Sequence, residues 1–421
     1  MVVISPRFRR RAARMLAAVM LLSAAVALPQ GTLAATAQQT EKLTYGEARV
    51  IYKAQKFFDA KDYSRCIQVL ETYLQEAPET DHRDFFLLLG NSYYQLQDFG
   101  KAANVYARGV TSHPQDASLN LNLALALANN QQPQKAGRQF IKAYQVQQMQ
   151  DSDLLYQAGA QFIKAKSYQE ARTVLRQLLE KHQPAKQPWL ELLLYACVET
   201  KNYDEAIHVT EQLLAQNPQQ VTYWTYLAQL RLQQGKLPEA AAAFEVAYQY
   251  ALPSATELHQ LADLYSYLNL PLRAAGTLER GAEAKASRKG LEQLAELYRR
   301  GGRYDKADQY LQQVIDRWPD PQVYLQEAEL LYDQSKYAEA LQLLTTANRR
   351  YPNTPQMLLQ MGFTAWQLEN WQEARKCFTA ARRFSDTRNS AESALTIIDG
   401  LNPKPATDSK EPPVATTSRR N

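Results

Sequence analysis

The stretch "LLGNSYYQLQDFGKAANVY" (residues 88–106) sets small residues at Gly90 and Ala102 and rings at Tyr93, Phe99 and Tyr106, with Pro114 eight positions later. An accident of composition would occur once, whereas a packing rule must recur. It recurs in "AGAQFIKAKSYQEARTVL", where Gly159, Phe162, Tyr168 and Ala171 hold the same offsets. It recurs again around Ala295, Tyr298, Tyr304, Ala307 and Pro319, around Ala328, Tyr337, Ala340 and Pro352, and around Gly362, Trp371, Ala374 and Phe378. The frame also fits the chain around Ala54, from Leu190 to Thr210 and from Tyr223 onward, with weaker copies around Ala124 and Ala262. Ten copies with a period of about 33–36 residues fill residues 47–387.

Each offset has a physical reason. A small residue on the first helix (Gly90, Gly159, Ala228, Ala295) and one on the second (Ala102, Ala171, Ala240, Ala307) let two helices cross at the near end of the ~8–10 Å range. The ring between them fills the space beside the turn. Proline after the second helix (Pro78, Pro114, Pro218, Pro319, Pro352) stops it before the next copy begins. Such a hairpin cannot bury its apolar face alone, so the copies must stack.

On these residues the chain resembles the tetratricopeptide repeat family over about four-fifths of its length. The resemblance implies an all-α solenoid, a right-handed superhelix of stacked helix-turn-helix repeats. The expected organisation is a leader at 1–37, a linker at 38–46, the array at 47–387, a capping helix at 388–400 begun by Asn389 or Ser390, and a Pro/Ser/Thr-rich disordered tail at 401–421. A narrower likeness, carried by Leu261, Ala262, Tyr265, Pro271, Ala274, Ala275, Leu278 and Gly281, is to periplasmic repeat proteins associated with TonB–ExbB–ExbD systems.

The N-terminus reads as an export signal. Arg7, Arg9, Arg10, Arg11 and Arg14 precede "MLAAVMLLSAAVAL" (residues 15–28), and Ala35-Thr36-Ala37 follows as a cleavage site. Fourteen residues fall short of the ~20 that span a bilayer, and no cysteine is near the site to carry a lipid. Five of the 48 Lys and Arg residues lie in this leader, which leaves 43 against 43 Asp and Glu. That balance offers no footprint for nucleic acid. The expected compartment is the periplasm.

Three cysteines, Cys66, Cys197 and Cys377, are widely spaced and odd in number, which is no disulfide framework. They are expected to be buried thiols. Five histidines are scattered without metal-ligand spacing, and none of the nucleophile, P-loop or zinc-protease motifs occurs. Gly301-Gly302 falls at a turn rather than in a phosphate loop. The expectation is therefore a protein with no catalytic, cofactor or metal residues and no small-molecule substrate, whose work is recognition.

In the resembled family the first helices line a concave groove that holds a partner segment. Residues opposite the side packed on the second helix include Leu87, Asn91, Tyr94, Leu121, Leu125, Tyr156 and Tyr195 in the N-terminal half. Asp263, Glu292, Glu296, Arg299, Arg300, Glu329 and Asp333 follow in the C-terminal half. Leu121 and Leu125 serve equally well as packing between repeats. The tyrosines, as groove residues, should be removable at little cost to the fold. Leu87 stands where chaperone-tail binders of this family place a lysine beside Asn91, so a terminal carboxylate is not the expected ligand. The expected partner is an envelope protein or peptide segment, with peripheral association to a membrane complex. The chain would be accessory to TonB-type energy transduction or, alternatively, an assembly factor for outer-membrane or polysaccharide export machinery.

Overall fold

The computed structural model describes residues 43–401, which hold 22 helices and no strand. The leader, residues 38–42 of the linker and residues 402–421 lie outside the described residues. The chain forms two compact units, one up to Ala251 and one from Leu252.

In the first unit six hairpins follow one another. They are α1 (Tyr45–Asp59) with α2 (Tyr63–Glu76), α3 (Arg83–Gln95) with α4 (Phe99–Ser112), and α5 (Ala117–Asn129) with α6 (Pro133–Val146). Then come α7 (Ser152–Lys164) with α8 (Tyr168–Lys181), α9 (Gln187–Glu199) with α10 (Tyr203–Gln216), and α11 (Val221–Gln233) with α12 (Leu237–Tyr250). Helix α1 starts before the expected array because Thr44 and Glu47 cap it reciprocally.

The second unit has four hairpins. Helix α13 (Ala255–Tyr267) meets a divided partner, α14 (Pro271–Glu279) and α15 (Ala282–Ala286). Three regular pairs follow: α16 (Arg288–Arg300) with α17 (Tyr304–Arg317), α18 (Pro321–Asp333) with α19 (Tyr337–Arg350), and α20 (Pro355–Gln367) with α21 (Trp371–Ala381). A last helix, α22 (Arg388–Leu401), packs on α21 and buries Ala391, Ala394 and Ile398. It begins at Arg388, so Asn389 and Ser390 lie inside its first turn rather than capping it. The buried Thr387 precedes it, its hydroxyl donating to the Ala381 carbonyl at 2.6 Å.

One turn geometry closes all ten hairpins. A residue with positive φ, from Lys61 (60°) in the first to Glu369 (56°) in the tenth, ends each first helix. The next N–H returns to the carbonyl five residues back, as in Asp98 to Tyr93 at 3.0 Å and Ser167 to Phe162 at 2.8 Å. This is the Schellman arrangement.

The crossing differs from the small-on-small expectation. A Cβ on Gly90 would stand 2.4 Å from the Tyr106 ring, one on Gly159 2.7 Å from Leu175, and one on Gly362 2.6 Å from Phe378. Each glycine thus makes room for a large side chain 16 residues on. In the fifth hairpin the sizes are exchanged, with Leu194 and Thr210 buried at those two places.

Candidate groove along the first helices

Hydrogen bonds between equivalent helices show how the first helices lie side by side. Asn129 Nδ2 donates to the Tyr94 hydroxyl at 2.8 Å, and Asn122 Nδ2 to Asn91 Oδ1 at 3.2 Å, tying α5 to α3. The Tyr223 hydroxyl of α11 donates to Glu191 Oε1 of α9 at 2.5 Å. In the second unit Arg299 Nη1 reaches Asp333 Oδ2 at 2.6 Å, and Gln367 Nε2 donates to the Tyr332 hydroxyl at 2.8 Å. Each tie spans about one repeat, so within each unit the tied first helices present the same face side by side.

In the first unit that face is largely apolar. Leu87, Leu121 and Tyr156 are the fifth residues of α3, α5 and α7, and all three are half-buried. Leu125 is fully buried and belongs to the packing. Leu87, Asn91 and Tyr94 share one face of α3, Tyr156 lies on α7 and Tyr195 on α9.

The tyrosines correct one expectation. Tyr94, Tyr156 and Tyr195 are half-buried rather than surface groups, and burial pushes each phenol above its ordinary range. The Tyr94 ring meets Phe99 edge-on at 5.1 Å, and Tyr195 meets Tyr168 at 5.9 Å. Removing either ring would therefore cost packing contacts within the fold. Asn91 is also engaged, its Oδ1 accepting from the Tyr106 hydroxyl at 2.5 Å and from Asn122.

Arg299 and Arg300 belong to the second unit, whereas the three tyrosines belong to the first. Arg299 is held by Glu296 at 2.7 Å and by Asp333, and Arg300 is exposed. The acidic pair Glu292 and Glu296 is neutralised locally, since Arg288 pairs with Glu292 at 2.8 Å.

Counting along each helix would have found residues that the sequence reading missed. The twelfth position, occupied by Tyr94 in α3, holds Arg299 in α16, Tyr332 in α18 and Trp366 in α20. With the half-buried Leu359 and Phe363, Tyr332 and Trp366 give the second unit an aromatic face at its last repeats.

Two clefts lie elsewhere. One of about 710 Å³ on the first unit runs along α8 and α10 over Leu179, Leu190, Leu193 and Val209. At its edge Glu205 binds Arg172, through Nε at 3.1 Å, and Arg176. The other, about 510 Å³, opens where α14 and α15 break, between His259, Asp263, Glu283 and Lys289. Gly290 permits the break, since its Cβ would fall 2.2 Å from the Ala284 carbonyl oxygen. Among the described residues no group of three or more His, Cys, Asp or Glu could hold a metal ion. No helix of the described residues is long and apolar enough to cross a membrane.

Family models of a helical repeat agree with this architecture. Two models of the tetratricopeptide repeat match, one at residues 87–152, 198–255 and 292–355 and the other at 153–183, together just over half of the chain. Tetratricopeptide repeat protein 21A of Mus musculus is 26% identical over 334 residues, covering 71% of this chain and 25% of that protein. The chain therefore spans a quarter of the length of that relative. Among solved structures, Naa15/Naa10 bound to HypK aligns with a TM-score of 0.44 at 13% identity, covering 86% of this chain and 69% of that one. A tetratricopeptide repeat protein from Parabacteroides merdae aligns at 0.33 and 19% identity, covering 60% and 97%. With the repeat frame, the ten like hairpins and the two family models in agreement, the chain belongs to the tetratricopeptide repeat family.

Proposed function

We propose that the chain is an exported, non-enzymatic scaffold that holds a segment of an envelope protein against the first helices of its first unit. Tetratricopeptide repeats bind peptides or proteins, and the observation that supports this particular surface is the half-buried row of Leu87, Leu121 and Tyr156, continued by Tyr195. Tyrosine offers a rigid apolar body with a polar tip, which suits it to anchor a partner. Export rests on the leader's basic region, apolar run and small-residue site. An accessory role beside a TonB-type system rests on the likeness around residues 223–281.

A photo-crosslinking residue placed at Tyr156 in intact cells tests the surface. Adducts to an envelope protein should form there and be missing when the same group stands at the exposed Thr173 of α8. Equal adducts at both positions, or none at Tyr156, would move the binding surface elsewhere. The identity of the captured protein separates a TonB-type system from export machinery.

A further inference from the structure

The second unit carries a face of different chemistry from the tyrosine row. Tyr332 of α18 and Leu359, Phe363 and Trp366 of α20 form a half-buried apolar strip. The rings are fixed from behind: Phe363 stacks with Trp366 at 6.4 Å and meets Phe378 edge-on at 5.0 Å. A pre-set aromatic strip costs little ordering on binding.

Beside this strip the charge is unbalanced. Glu296 and Asp333 share the single guanidinium of Arg299. Glu329, one turn from Tyr332 and Asp333 on α18, makes no direct ion pair among the described residues and feels Arg299 only through space. Three carboxylates therefore stand around one arginine. The groove positions of α20 add no charge, being Gln356, Leu359, Phe363 and Gln367. Burial raises the Glu329 carboxyl, Arg299 opposes that shift, and Asp333 and Glu296 add to it, so a second cation there would be favoured.

We propose that the α18/α20 face docks a partner segment in which a lysine or arginine lies within a few residues of an aromatic or leucine side chain. The cation takes the place beside Glu329 and Asp333, and the apolar group covers Trp366 and Phe363. Charge complementarity sets the register, and the rings supply the contact area. The surface lies in a different unit from the tyrosine row, so either can fail without the other.

Random peptides of about twelve residues, displayed on phage, can be selected against the full protein and counter-selected against Glu329→Lys. The eluted sequences should be enriched in a basic residue close to an aromatic or leucine. A synthetic peptide of that sequence should bind the full protein at least tenfold more tightly than Glu329→Lys or Trp366→Ala, with Tyr156→Ala unchanged. Its affinity should fall with added salt, and Glu329→Gln should give an intermediate loss. Melting curves of the variants show that they are folded. Selection of acidic or purely apolar peptides, failure to enrich any, or undiminished binding to a folded Glu329→Lys would each overturn the proposal. Self-association without peptide that Glu329→Lys abolishes would assign the face to a second copy of the chain instead.

Discussion

At the scale of single residues, the space at the crossings beside Gly90, Gly159 and Gly362 is set by a glycine facing one large side chain rather than by two small residues. Gly90→Ala drives a methyl group into the Tyr106 ring, whose hydroxyl is committed to Asn91. Overpacking of this kind costs ~1–3 kcal/mol, to be read as a lower urea midpoint. Glu327 is the opposite case, a carboxyl placed where charge is unwelcome. It is 3% exposed, and burial with Asp308 nearby pushes it up to about 8. An acid whose folded pKa lies above its unfolded value stabilises the fold while protonated in both states, below about pH 4.5. It loses that advantage as pH rises toward 8. Glu327→Gln should therefore remove a decline in stability across that window, a gain on the order of 1–3 kcal/mol at pH 8. Denaturant titrations at pH 5 and pH 8 give the comparison, and equal gains at both would show that the carboxyl does not titrate there. The three thiols are buried and free. Burial raises all of them, Cys377 to about 12, so they should react with a thiol reagent only after denaturation and without prior reduction.

At the scale of elements, the turn inside each hairpin was legible only in part. Gly235 and Gly302 announce a left-handed residue, but eight of the ten turns place Lys, Gln, Asn, Ser or Glu there, as at Lys61, Gln97, Lys166 and Lys201. Local propensity does not select these conformations. The stacked helices on either side impose them, together with the returning N–H bond. A Cβ at Gly235 meets nothing within 4 Å, so Gly235→Ala isolates the conformational cost. It should lower stability by ~1 kcal/mol, and Lys166→Gly should raise it by up to about 1 kcal/mol, since a left-handed non-glycine residue costs ~1–2 kcal/mol. Thermal midpoints of the two variants check both signs. The broken helix of the seventh hairpin escaped the sequence reading for a related reason. Gly281 looked like part of the repeat pattern, and only the approach of the Ala284 backbone to Gly290 explains why the helix divides. The groove was legible as a set of helix faces but not as a set of loads. Spacing assigns Tyr94 and Tyr195 to the candidate face, but it does not reveal their contacts with Phe99 and Tyr168, which come from the neighbouring turn and neighbouring repeat.

At the scale of the whole molecule, a period near 34 residues repeated ten times outweighs every local ambiguity, because each hairpin needs its neighbours to bury its apolar face. That is why the fold could be read from offsets of glycine, alanine and aromatic residues, while the partner could not: the same offsets serve any ligand. Charge is the one global property that still distinguishes a state of this chain. All five charges of the expected leader are arginines, so its removal takes the formal net charge at pH 7 from +5 to zero. The full chain has an isoelectric point near 8.8, and the processed chain should focus close to neutrality. Isoelectric focusing of the protein from the envelope fraction, beside a form retained in the cytoplasm by a blocked export pathway, measures the difference directly. The envelope form should lie at the acidic side and have a mass consistent with a start near Gln38. It should also pass through a heparin column at low salt, where the retained form, with five clustered arginines, is delayed by their field. An envelope form that focuses near 8.8 still carries its leader, which would overturn the expected cleavage after Ala37.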